Sequence, residues 1–229
     1  FGPGSGDTVS AVGDPHVTSI TGEKFDLWVT GWSTFLQVPK NVEPNSVPKL
    51  LVTGNVQPYH AEKCAPAYLQ TVKVTGSLID HHEVMVRAGS LETSVPFGIS
   101  LNGSAFIPIG SSGSSSFSSQ SFSLHGKISE DEPGVWGPDA KLVIEVGAIM
   151  LTVTQHTEGR FDDSRSMLDV SVTGLDGVEN VGGWLGVDGA LSAGRAPPEC
   201  LNVAFIAAGT HPRHDDDPEA VGFQSPHIW

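Results

Sequence analysis

The chain has 229 residues, 38% of them hydrophobic, and a formal net charge of -14 from 26 acidic and 12 basic side chains. That length suits one large β domain, and a field of that sign repels nucleic acid and anionic membrane surfaces. No run of 18 apolar residues is present to cross a membrane as a helix, and 27 Gly with 16 Pro, scattered rather than periodic, mark many turns.

The chain begins at Phe1 without Met, which reads as a processed or trimmed start, and residues 1–11 read as an N-terminal extension. Residues 17–20 and 24–29 are short β-rich runs around the turn Thr21-Gly22-Glu23. Residues 34–38 alternate up to Pro39, a Pro-bearing loop covers 39–48, and 49–56 form the next strand candidate. Residues 57–68, with Pro58, Cys64 and Pro66, read as an irregular insertion. Residues 69–75 then alternate with period 2, and 83–87 repeat the pattern.

Residues 99–107 carry the hairpin signal Asn102-Gly103, because that pair supplies the positive φ angles of a type I′ turn. The Ser-rich stretch 111–121 reads as a flexible loop or sheet edge, tucked down by Phe117 and Phe122. Residues 142–146 and 149–155 flank Gly147-Ala148 as a second hairpin, and 167–172 are the last clear alternating run. The apolar run 203–208 opens a tail, 201–229, that is expected to wrap the domain. No amphipathic helix of ten residues or more appears. The expected fold is all-β, an antiparallel β-sandwich with long loops and little helix, as one domain over residues 12–200.

Three motifs carry a family resemblance. Gly13-Asp14-Pro15-His16-Val17-Thr18 followed by Gly22-Glu23-Lys24-Phe25-Asp26-Leu27 resembles the opening of von Willebrand factor type D (VWD) domains. Residues 99–109 are similar to the central hairpin of that family. Val181-Gly182-Gly183-Trp184-Leu185-Gly186-Val187-Asp188-Gly189 resembles its closing region, with Trp184 and Leu185 where VWD domains place cysteine. The cysteine-poor ending is closer to the VWD-like C-terminal region of inter-α-trypsin inhibitor heavy chains. The resemblance implies a secreted or lumenal β domain, and the missing cysteines remove disulfide-linked polymerisation from what it implies.

Four candidate chemistries follow. Asp14-Pro15 is acid-labile, because the Asp carboxylate attacks its own carbonyl and proline is a basic leaving amine. Several VWD-family proteins cleave themselves there, and His16 is placed to shuttle the proton. The alternative is a structural turn with Pro15 fixing φ and Asp14 capping backbone donors. A calcium site, which some VWD domains carry, would draw on Asp176, Glu179, Asn180 and Asp188, since calcium takes six to eight hard oxygens. The even pair Cys64 and Cys200 fits one disulfide, worth roughly 4–5 kcal/mol in the chain-entropy model, against two buried thiols. Asn102-Gly103-Ser104 is a glycosylation sequon, although the turn alone accounts for it.

His211, His214 and Asp215 to Asp217 read as a solvated charge run, and His81-His82 as strand neighbours on opposite faces. No nucleophile elbow, phosphate loop or zinc-protease motif is present, so an enzyme on an external substrate is not expected. The expected function is a non-catalytic extracellular or lumenal structural and protein-interaction module within a larger assembly, with other protein subunits as partners. No cofactor is required, with calcium as the candidate ligand. A self-processing domain and a calcium-binding module are the alternatives.

Overall fold

The computed structural model describes residues 9–12, 16–58, 67–89, 97–108, 115–129, 139–158, 165–178, 180–189, 194, 196 and 198–200. Fourteen strands run through these residues: β1 (Val9–Val12), β2 (His16–Thr18), β3 (Lys24–Asp26), β4 (Gly31–Val38), β5 (Leu50–Pro58), β6 (Ala67–Thr75) and β7 (Val84–Arg87) form the first half. The second half is β8 (Gly98–Leu101), β9 (Ile107–Pro108), β10 (Ser115–Ser118), β11 (Ser123–Ser129), β12 (Asp139–Val146), β13 (Ile149–Glu158) and β14 (Arg165–Thr173). Among the described residues, helix is limited to short elements such as the single 3-10 turns Ser77–Ile79 and Pro198–Cys200.

The all-β antiparallel expectation holds. One sheet of eight strands runs β10-β11-β12-β13-β14-β1-β2-β3, and one of six runs β4-β5-β6-β7-β8-β9, with every pairing antiparallel. The six-stranded sheet is a simple meander. In the other sheet β1 lies between β14 and β2, so the first described strand pairs with the last. The sequence boundary at residue 12 therefore falls inside a strand, since Val9 and Ala11 are buried in the core.

Period-2 alternation explains the layering. Leu50, Val52 and Val56 of β5 point inward, as do Leu142, Ile144 and Val146 of β12 and Leu151 and Val153 of β13. Each such buried aliphatic side chain contributes about 1.5–3 kcal/mol. β14 packs across β6, which brings the two inner faces together. Gln155 is one of the polar residues buried in these strands, with Thr71 and Ser100. It is 2% exposed, and its Oε1 accepts the Gly89 N–H at 2.5 Å, tying β13 to the end of β7.

The expected turns are in place. Asn102 has φ 53° and Gly103 φ 71°, and the Ser104 N–H donates to Leu101 O at 3.1 Å, closing the type I′ geometry. The Ser-rich stretch supplies β10, at the edge of its sheet, with Phe117 packed against the core and Phe122 buried. Cys200 is buried and disulfide-bonded. The chain's other cysteine, Cys64, lies outside the described residues, as do residues 1–8 and the 201–229 tail with its His211, His214 and Asp215 to Asp217.

Candidate functional site

Edge strand β4 has one side free of β5, and a lone edge invites non-native pairing. Residues 181–189, the closing motif of the sequence, fill that side. Gln37 and Gly182 exchange both backbone hydrogen bonds, at 3.0 and 2.8 Å. The Trp184 N–H donates to Thr34 O at 3.1 Å, and the Leu185 N–H to Phe35 O at 2.8 Å. Leu185 O in turn accepts the Ile20 N–H at 2.8 Å, so the segment also reaches the turn after β2 in the other sheet. The Trp184 and Phe35 rings pack with centroids 4.9 Å apart.

Two glycines make this approach possible. Gly183 has φ +87°, and a Cβ there would sit 2.6 Å from Phe35 O. Gly186 has no room for a Cβ, which would meet the carbonyl oxygens of Val181 and Gly182. Backbone, not a flexible side chain, bounds both positions, so neither tolerates a larger residue.

Polar side chains complete the joint. Asp188 Oδ1 is 2.5 Å from Lys40 Nζ, and its Oδ2 accepts the Gly183 N–H at 2.6 Å. The Lys40 hydrogen bond, helped by that N–H and by the ammonium charge, holds the Asp188 carboxyl below its ordinary value, against the opposing effect of burial. Gln37 Nε2 donates to Lys40 O at 2.6 Å, and the Lys40 N–H donates to Asn180 O. An open hollow of about 270 Å³ lies over the joint, lined by Ser33, Thr34, Gln37, Trp184 and the Lys40–Asp188 pair.

The sequence-flagged residues separate here. Asn180 and Asp188 both meet Lys40, one through its backbone and one through its carboxylate. Asp176 is exposed in a turn, and Glu179 lies outside the described residues. Calcium would need several free carboxylate oxygens, whereas both oxygens of Asp188 already accept hydrogen from Lys40 and Gly183. Among the described residues no group of three or more His, Cys, Asp and Glu side chains is placed to hold a metal.

Gly13, Asp14 and Pro15 lie outside the described residues, while the backbone of His16 starts β2 and pairs with Val12 and Asp26. Asn102 caps its hairpin from the side as well: Oδ1 accepts the Glu83 N–H at 2.9 Å, and Nδ2 lies 2.8 Å from His82 Nδ1. His81 and His82 are not strand residues. They sit in the turn between residues 77–79 and β7, with His81 at φ 59°, so the opposite-faces argument does not apply to them.

Sequence reasoning missed Lys40 and the Asp80–His82 turn. The one available signal for Lys40 was a cation directly after a strand in a strongly acidic chain. Neither a protein-family model nor a curated protein matches the chain.

Proposed function

We propose that the chain is a non-catalytic structural and protein-interaction module, extracellular or lumenal, of VWD-like type. The observation that carries this reading is the use made of residues 181–189. Their most distinctive groups, the Gly183 and Gly186 backbone, Trp184 and Asp188, are engaged in closing the β4 edge and bridging to the other sheet. A carboxylate that accepts from Lys40 and Gly183 is poorly suited to act as a general base or nucleophile. The resemblance of the Gly13-Asp14-Pro15-His16 opening and of the closing motif to VWD domains supports an assembly role.

The competing reading is single-turnover cleavage at Asp14-Pro15. Intact-mass measurement after incubation at pH 5 separates the two. The non-catalytic reading expects one uncleaved species. Two fragments divided between Asp14 and Pro15, absent from the Asp14→Asn variant, would overturn it. Calorimetric titration with calcium is expected to give a flat trace, and a saturable isotherm lost in Asp188→Asn would move the assignment to a calcium-binding module.

A further inference from the structure

A second joint links the two sheets at the turn before β7 and the β8–β9 turn. Asp80, in left-handed conformation at φ 53°, accepts the Ser121 hydroxyl at 2.7 Å and the Ser119 hydroxyl at 3.3 Å, both from the β10–β11 turn. The His82 ring packs against Phe117 and Phe122, with centroids 6.0 and 5.6 Å away. Its Nδ1 lies 2.8 Å from Asn102 Nδ2. His82 therefore stands between the β10–β11 hairpin of one sheet and the β8–β9 turn of the other.

The neighbours of this ring constrain which atom accepts in the His82–Asn102 contact. A backbone N–H only donates, so the Glu83 N–H fixes Asn102 Oδ1 as an acceptor at 2.9 Å. That leaves the Asn102 NH₂ aimed at His82, and Nδ1 must accept. Only neutral imidazole offers an accepting nitrogen. Once protonated, both ring nitrogens carry hydrogen, so turning the ring does not restore an acceptor. Turning the Asn102 amide would instead abandon the Glu83 N–H.

We propose that His82 and Asn102 form a proton-sensitive latch that holds the β10–β11 hairpin against the six-stranded sheet and loosens on acidification. Among the described residues the charged groups around the ring are few. Asp80, His81 and Glu83 share its turn, and Glu83 is paired with Lys73 of β6 at 3.6 Å. Residues 115–122 and 101–106 contain no titratable side chain. Beyond them on the same sheet lie His125, exposed on β11, and Glu145 of β12, which accepts the Ser123 hydroxyl at 3.0 Å. Asp80 is already engaged by two hydroxyls. The Phe117 and Phe122 rings and the anionic Asp80 and Glu83 favour a cation, whereas two opposed donors cost a hydrogen bond and leave N–H facing N–H; the sign of the pH response decides between them.

Hydrogen exchange at pH 5.5 and 7.5, corrected for the intrinsic chemical rate, tests the latch. The wild-type amides of Asn102, Ser104, Ser121 and Phe122 are expected to exchange about fivefold faster at pH 5.5, the loss of one hydrogen bond. His82→Phe keeps a packed ring without a proton site, and its exchange is expected to be independent of pH. Asn102→Asp is expected to reverse the sign, because a carboxylate accepts from imidazolium and the joint tightens in acid. Unchanged protection in β12 and β13 verifies that the variants are folded. Wild-type exchange that does not respond to pH, or a response that survives in His82→Phe, overturns the proposal, and the wild-type series alone suffices if a variant misfolds.

Discussion

The two joints between the sheets use different materials. At the β4 edge, residues 181–189 supply backbone hydrogen bonds, a buried Trp184 and an ion pair. At the turn before β7 and the β8–β9 turn, Asp80, His82 and Asn102 supply side-chain hydrogen bonds to groups near the surface. Backbone bonds do not titrate, and buried rings exclude water, so the first joint keeps its strength over a wide pH range. The second depends on which atoms carry protons. A sandwich fastened in both ways has one closure that is structural and one that solution conditions adjust.

The sharpest way to break the first joint is Trp184→Ala. It removes the ring packed on Phe35 and is expected to cost about 4 kcal/mol in urea unfolding, the range for large core truncations. Gly186→Ala comes next, at about 2–3 kcal/mol, because the new methyl meets backbone carbonyls that have little freedom to move. A well-tolerated Ala there would show that the loop is looser than the packing implies. Asp80→Ala, at the second joint, is expected to cost about 1 kcal/mol, leaving the Ser121 hydroxyl to water while the Ser119 hydroxyl keeps its contact with Phe122 O.

The smallest effect belongs to the ion pair. Lys40 and Asp188 side chains are 38% and 31% exposed, so Lys40→Met is expected to cost only about 0.5 kcal/mol. Its pH dependence is more informative. The folded-state carboxyl lies below its ordinary value of 3.8, so its contribution is present above that value and disappears as pH falls through the lowered one. Thermal melts of wild type and Lys40→Met should keep a constant gap from pH 7 to 5 and converge below about pH 4. A gap that closes near pH 6 would place the titration elsewhere.

Much of the fold was legible because strands write themselves as alternation. Residues 69–75 and 142–155 have that pattern, and Asn102-Gly103 and Gly147 mark their turns. β1 was not legible, since Val9-Ser10-Ala11-Val12 is short and its partner β14 lies at the far end of the chain. β11 was missed because a glycine, Gly126, occupies an inward position where alternation expects a large apolar residue. The closing motif was visible as a motif, and Asp188 stood out within it. Its partner was not, because Lys40 and Asp188 meet only after the sheets form. The same holds for Asp80 with Ser119 and Ser121, which have no local sequence relation at all.

The central claim is that residues 181–189 are an integral part of the sandwich. Native-state hydrogen exchange at pH 7.5 across a series of urea concentrations tests it most directly, because amides that open only with the whole fold share its full urea dependence. The Gln37, Gly182, Trp184 and Leu185 amides are expected to join the β12–β13 amides on that global line, with Ser121 and Phe122 opening earlier. Exchange of the closing-segment amides by a local, urea-independent opening, while β12 and β13 remain protected, would contradict the claim.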